Sequence, residues 1–248
     1  MQRFRGTSPR ALGRALTACW VAIAAMLLLV GCQQATAATV PASPVTAPNA
    51  VVIVGDSLST GFGTSAEDAW PTLVNNDPED LAGGLEITNA ARNGSGYVTV
   101  GDGNSTFAAQ VAEAVTGATR LVVFFGSEND MGNSVTDIQA AARAAFAQAK
   151  ARSPHAALLV VGPPSYTDPA DAGRLAVRDA VQDAAEAAGA TFVDPITEGW
   201  IVGDVGLLVG PDGVHPSVAG QWYLKMQMER LINFAVAQQA AGTTAGKG

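Results

Sequence analysis

Val51-Val52-Ile53-Val54-Gly55-Asp56-Ser57-Leu58-Ser59 is the stretch on which the reading of this chain turns. Four consecutive β-branched apolar residues describe a strand buried on both faces, the pattern of a parallel sheet. The run stops abruptly at Gly-Asp-Ser, with Gly61 and Gly63 close behind. A serine just past the carboxyl end of a first parallel strand stands where open α/β sheets bind their ligands. Taken alone, the same residues also suit an Asp/Ser turn or a helix cap. A nucleophilic Ser57 needs a base, an acid to orient that base, and donors for an oxyanion, all supplied from elsewhere in the chain.

Downstream, strand-like and helix-like patterns alternate. Leu85–Thr88, Leu121–Phe125, Ala157–Val161 and Thr191–Val193 read as four further strands. Ser134, with Asp137 three residues on, resembles a capping box, and Ile138, Ala141, Ala142, Ala145, Phe146 and Ala149 follow it at helical spacing. Asp168-Pro169 with Asp171 opens another helix, whose stripe is Val177, Ala180, Val181, Ala184, Ala185 and Ala188 and whose stop is Gly189. A last helix runs from about Ser217 to Ala237. This alternation predicts a three-layer α/β/α sandwich around a central, mostly parallel sheet of about five strands. No repeat and no second folded domain is visible in the pattern.

The N-terminus reads as a targeting segment. Arg3, Arg5, Arg10 and Arg14 precede an acid-free apolar stretch, Ala15 to Val30, which ends in Leu29-Val30-Gly31-Cys32. That ending resembles a bacterial lipobox at each position. Residues 1–31 are then a lipoprotein signal peptide, and Cys32 takes the lipid. The alternatives are a retained transmembrane helix, for which the stretch is short against the usual ~20 residues, or a signal cut later, near Ala35 to Ala38. Residues 32–50, rich in Ala, Thr, Pro and Ser, read as a disordered tether, 51–240 as the folded domain, and 241–248 as a disordered tail. The expected location is the outer face of the cell membrane, held there by acyl chains.

Cys19 lies in the apolar segment and Cys32 is the lipid site, so the domain has no cysteine for a disulfide, a nucleophile or a metal. Removal of the signal takes all four N-terminal arginines and leaves a formal charge of about −12. Nothing resembles a basic stripe, which argues against nucleic acid as a partner. No metal or organic cofactor is called for, and the protein is expected to act as a monomer.

The chain has two histidines. His155, just before the fourth strand, belongs to the amino end of the sheet and reads as surface loop. His215 sits in Gly210-Pro211-Asp212-Gly213-Val214-His215-Pro216, immediately before the last helix. Pro-Asp-Gly is an ordinary turn signal. Yet an Asp three residues before a His, joined through Gly, can fold back to accept the imidazole Nδ1–H and leave Nε2 to work on a serine. Two loops follow strands at the same end of the sheet, Asn89-Ala90-Ala91-Arg92-Asn93-Gly94-Ser95-Gly96-Tyr97 and Gly126-Ser127-Glu128-Asn129-Asp130. Glycine lets a backbone N–H approach a substrate oxygen closely, and an asparagine amide is a neutral donor for a developing oxyanion. Each loop also suits a common turn.

Together, Gly55-Asp56-Ser57-Leu58-Ser59, Gly94 five residues after Asn89, Asn129-Asp130 and Asp212-Gly213-Val214-His215 resemble, in order, the four sequence blocks of the GDSL/SGNH hydrolases. The resemblance spans the domain from Val51 to the last helix. It implies that Ser57 is the nucleophile, His215 the base and Asp212 its orienting acid. The Ser57 N–H, the Gly94 N–H and the Asn129 amide would form the oxyanion hole. The family's third block usually reads Gly, one residue, Asn, Asp, whereas two residues separate Gly126 from Asn129 here. Either Ser127 stands in the glycine's place or the loop is one residue longer, and Gly96 remains an alternative to Gly94.

The expectation is a serine esterase that passes through an acyl-enzyme on carboxylic esters of cell-envelope glycans or lipids. The resemblance leaves acyltransferase and thioesterase chemistry open. Phe62, Tyr97, Met131 and Trp200 are candidates to line an acyl pocket, or else plain packing. The alternative is a non-catalytic envelope lipoprotein that binds a glycan or lipid in the same cleft.

Overall fold

The computed structural model describes residues 49–77, 81 and 84–245, with side chains up to residue 241. The signal segment, Cys32, most of the tether and the last three residues lie outside the described residues.

Five strands form one sheet: β1 (Ala50–Gly55), β2 (Glu86–Asn89), β3 (Thr119–Phe125), β4 (Ala157–Val161) and β5 (Thr191–Val193). Their order is β2-β1-β3-β4-β5, and every pairing is parallel. Ala50, expected at the end of the tether, already pairs with Glu86 and Thr119. β2 begins one residue later than its apolar pattern indicates, because Leu85 is buried in the core beside the strand while Asn89 still pairs with Ile53.

The helices are α1 (Ser57–Thr60), α2 (Trp70–Asn75), α3 (Phe107–Ala114), α4 (Val135–Arg152), α5 (Ala172–Ala187), α6 (Val205–Leu208) and α7 (Val218–Ala245). Successive strand residues face opposite layers. Val51, Ile53, Leu121, Val123, Phe125, Leu159 and Val161 pack with Trp70 and Val74 of α2 and Leu224, Met228 and Ile232 of α7. Val52, Val54, Val122, Phe124, Leu158 and Val160 pack with α3, α4 and α5, among them Phe107, Phe146 and Val181. Both faces are therefore covered, as an all-parallel sheet requires. The expected three-layer sandwich is what forms.

Four helix details differ from the sequence reading. Ser134 is the N-cap of α4, but its side chain makes no capping bond. α5 starts at Ala172 and not at Asp168-Pro169, because Asp171 is the cap and its Oδ1 accepts from Arg174 N at 2.8 Å. Ala188, assigned to the buried stripe, is the exposed C-cap before Gly189, whose φ of +65° ends the helix. α7 continues through Ala245, so residues 241–245 are helical and not a disordered tail. The segment after Ala237 is rich in alanine, the best helix former, and holds no proline to stop it.

The strand order reverses between β1 and β3. A crevice opens outside the carboxyl ends of strands at such a switch point. β1 delivers Ser57 there, and the loops after β2 and β3 deliver Gly94 and Asn129.

Candidate active site

The turn between β1 and α1 is built to present Ser57. Asp56 caps α1 in an extended conformation (φ −118°) and accepts from Leu58 N at 2.9 Å. Behind it, the Gln110 amide of α3 binds Gly55 twice: Gly55 N donates to Oε1 at 2.8 Å and Nε2 donates to Gly55 O at 2.9 Å. The last residue of β1 is thus held by a buried side chain from α3. Asp56 is completely buried. Burial pushes its carboxyl up to about 8, with Glu128 and Asp130 adding to the effect against the Leu58 N–H.

His215 reaches Ser57 from the turn before α7. Gly210 N donates to His215 O at 2.7 Å, and Gly213, with φ +74°, closes the turn onto Gly210 O at 3.0 Å. Inside it, Asp212 Oδ1 accepts from both Val214 N and His215 N at 3.0 Å. Its Oδ2 lies 2.7 Å from His215 Nδ1. The His215 backbone N–H first, then its ring, hold the Asp212 carboxyl well below the usual carboxylate range. With Nδ1–H directed to a permanent anion, Nε2 is left as an acceptor. Nε2 stands 3.0 Å from Ser57 Oγ. The Phe62 ring packs against the imidazole, centroids 4.5 Å apart and planes tilted by 50°. The structure brings together the alcohol, imidazole and carboxylate singled out in the sequence. His155 is exposed before β4, as expected.

The loops that carry the oxyanion candidates are tied to the Ser57 turn: Thr60 Oγ1 donates to Asn93 Oδ1, next to Gly94, at 2.6 Å, and Asn129 Nδ2 lies 3.4 Å from Asp56 Oδ2. Among the described residues, neither the Ser57 N–H nor the Gly94 N–H has a hydrogen-bond partner. Gly96 N donates to Thr99 O at 2.8 Å, so of the two glycines only Gly94 has its N–H available. Gly94 takes φ +69°, a conformation that favours glycine. Asn129 Nδ2 donates to Ser95 O at 2.9 Å, with Asp56 Oδ2 farther off at 3.4 Å. The altered spacing of the third block also has a geometric account. Gly126 keeps a backbone reserved for glycine (φ +118°), and a Cβ there would come within 2.3 Å of Asp56 Oδ2. Ser127 follows in an extended backbone (φ −160°) that needs no glycine and opens the 3-10 turn Glu128–Asp130.

Several supporting residues carry no role in the sequence reading. Buried Asp130 accepts from Tyr97 N at 2.7 Å, Val98 N at 3.1 Å and Thr99 N at 2.8 Å, and from Ser127 Oγ. It fastens the Gly94 loop to the Asn129 turn. Gln110 is the polar residue in the otherwise apolar buried stripe Phe107, Gln110, Val111, and that interruption was its visible signal. Of the four acyl-pocket candidates, Tyr97 and Trp200 are core residues. Tyr97 packs among Phe107, Phe124 and Phe146, and Trp200 packs near Phe125. Phe62 and Met131 are exposed; Phe62 lies against the His215 ring, and Met131 follows the Asn129 turn beside Gly173 of α5. Among the described residues no group of three or more His, Cys, Asp or Glu could hold a metal ion.

Comparison with known proteins bears on this arrangement. The sequence profile described as the GDSL-like lipase/acylhydrolase family matches residues 53–223. GDSL lipase Rv0518 of Mycobacterium tuberculosis is 39% identical over 197 residues, covering 75% of this chain and 82% of that protein. The crystal structure of TesA superposes with a TM-score of 0.59 at 23% identity, over 71% of this chain and 94% of that one. Est24, a carbohydrate acetylesterase from Sinorhizobium meliloti, gives a TM-score of 0.57 at 17% identity, over 74% and 98%.

Proposed function

The chain belongs to the GDSL-like lipase/acylhydrolase family and is a carboxylic-ester hydrolase of that family, and we propose that it works through Ser57, His215 and Asp212. The observation that carries this reading is the unbroken row from Ser57 Oγ through the His215 ring to Asp212, with links of 3.0 Å and 2.7 Å.

Ser57 Oγ attacks the ester carbonyl while His215 Nε2 takes its proton. Asp212 stabilises the imidazolium that results. The carbonyl oxygen, now negative, is met by the Ser57 N–H, the Gly94 N–H and the Asn129 amide. As the tetrahedral species collapses, the C–O bond to the alcohol breaks and His215 returns its proton to the leaving oxygen. Water, deprotonated by His215, then attacks the acyl-Ser57 carbonyl; the C–Oγ bond breaks, His215 returns the proton to Ser57 Oγ, and the acid is released.

The substrates proposed are acyl esters of cell-envelope glycans or lipids. Two features support them: the acetylesterase activity named for Est24, and the lipobox-like Leu29-Val30-Gly31-Cys32, which would tether the enzyme by Cys32 outside the cytoplasmic membrane. Phe62 and Met131 offer apolar contact for the acyl group at the rim. The test is a panel of p-nitrophenyl esters, from acetyl to long chain, hydrolysed by the purified protein and by Ser57→Ala. Turnover that disappears in the variant supports the reading. Equal rates in both proteins, or none with any ester, would favour a non-catalytic binder. Loss of membrane fractionation in Cys32→Ser tests the anchor separately.

A further inference from the structure

Glu128 and Arg174 form an ion pair at the back of the turn that carries Asn129. Their side chains are 13% and 8% exposed, so the pair is largely out of water and each charge depends on the other. Arg174 has further partners. Its Nη1 donates to Pro164 O at 2.7 Å, its Nε donates to Asp171 Oδ2 at 3.2 Å, and its guanidinium carbon lies 4.8 Å from the Tyr166 ring centroid. One side chain thus joins the turn after β3, the loop after β4 and the start of α5.

The charges around it are unevenly distributed. Two acids flank Asn129, Glu128 before it and Asp130 after it, and its amide lies within reach of a third, Asp56. Asp130 is satisfied by backbone N–H groups. Asp56, raised to about 8 by its burial, is mostly protonated near neutral pH. Glu128 has one cation within ion-pair distance among the described residues, and that cation is Arg174. Burial, the largest single influence, works against the charge on Arg174, but Glu128, Tyr166 and Asp171 together outweigh it and leave the guanidinium above its ordinary value. Glu128 is an acid placed directly before Asn129, and Arg174 is the cation that answers it.

We propose that Arg174 is a positioning residue for ester hydrolysis: it neutralises Glu128, so that the Asn129 turn keeps its aim and no unpaired negative charge stands behind the developing oxyanion. The proposal rests on the reading of Asn129 as an oxyanion donor. In a low-dielectric site a nearby uncompensated carboxylate opposes a forming oxyanion far more strongly than it would in water.

The experiment compares steady-state kinetics on a p-nitrophenyl ester for the wild-type protein, Arg174→Met, Arg174→Lys, Glu128→Gln and the double variant Glu128→Gln/Arg174→Met. Circular dichroism and thermal unfolding check that each is folded. Arg174→Met is expected to lower kcat roughly 10- to 100-fold, with KM changed less than about 3-fold. Arg174→Lys, which keeps the charge, should retain kcat within roughly 5-fold of wild type. Removing Arg174 from the Glu128→Gln protein should change kcat by less than about 3-fold, because no carboxylate is left to neutralise. A purely mechanical brace gives the opposite pattern: Arg174→Lys no better than Arg174→Met, and a further loss of about 10-fold or more on removing Arg174 from Glu128→Gln. Either result overturns the proposal. If Arg174→Met does not fold, the Glu128→Gln comparison decides alone. Asn129→Ala, run in parallel, should lose about 100-fold or more in kcat. A wild-type rate in that variant would remove the premise itself, an outcome distinct from failure of the Arg174 comparisons.

Discussion

Ser57 Oγ lies 3.0 Å from His215 Nε2, although 158 positions of sequence separate the two residues. The contact depends on which imidazole nitrogen carries the proton, and Asp212 decides that from 2.7 Å away. In Asp212→Asn the amide oxygen can still accept from Val214 N and His215 N, but its NH₂ then faces Nδ1. The proton is driven to Nε2, where it can no longer accept from Ser57. kcat is expected to fall by roughly 10³- to 10⁴-fold. Asp212 sits on an exposed turn, so thermal unfolding should barely move. A fall of less than about 10-fold would mean that Asp212 does not set the tautomer.

Phe62 packs on the same imidazole at 4.5 Å between centroids. Its ring face is more attractive to an imidazolium than to a neutral ring, so it favours the charged state formed during reaction. Phe62→Ala should lower kcat about 3- to 10-fold, from a cation–π contribution of about 0.5–1.5 kcal/mol. Phe62→Leu keeps the bulk without the ring and should lose nearly as much. Full activity in Phe62→Leu would reduce the role of Phe62 to packing.

Gln110 illustrates how the fold supports the site from behind. Gly55 O keeps a second donor in Arg92 N at 3.2 Å, whereas Gly55 N has Gln110 Oε1. Gln110→Leu fills the space but strands that buried N–H, and should destabilise the protein by about 1–3 kcal/mol. Urea denaturation read by circular dichroism measures it. A loss below about 0.5 kcal/mol would mean that Gly55 N finds another acceptor.

Asp56 links stability to pH. Its carboxyl is raised from 3.8 to about 8, chiefly by burial. Between those values the folded protein holds a proton that the unfolded chain has released, so this group's contribution to stability declines as pH rises through the window and levels off above about 8. Asp56→Asn has no proton to lose. Its thermal midpoint relative to wild type should therefore rise as the pH is taken from acid toward alkaline. A difference that stays constant across the window would contradict a raised Asp56.

Much of this architecture is legible in the sequence because it rests on short-range patterns. The β-branched run at Val51–Val54 and the small-residue stripes of α4 and α5 report burial directly, and the sheet follows from their alternation. Ser57, Asp212 and His215 are legible because their chemistry demands particular residue types near strand ends. The supporting residues are different. Gln110, Asp130 and Arg174 act across 55, 33 and 46 positions respectively, on Gly55, Tyr97 and Glu128. Nothing in their own neighbourhoods announces those partners. Tyr97 reads as a site residue by its place in the Gly94 loop, yet its ring turns into the aromatic cluster of Phe107, Phe124 and Phe146. Asp168-Pro169 and Asp171 carry the same local cap signal, and only the observed cap bond to Asp171 separates them.

The most direct test of the central claim is chemical labelling of the nucleophile. The purified protein is treated with a fluorophosphonate ester, the adduct is located by peptide mass spectrometry, and ester hydrolysis is followed in the same samples. The account predicts one phosphonyl group on Ser57, activity lost in proportion to labelling, and no adduct in Ser57→Ala. Hydrolysis that survives complete labelling of Ser57, or wild-type turnover in Ser57→Ala, would contradict it.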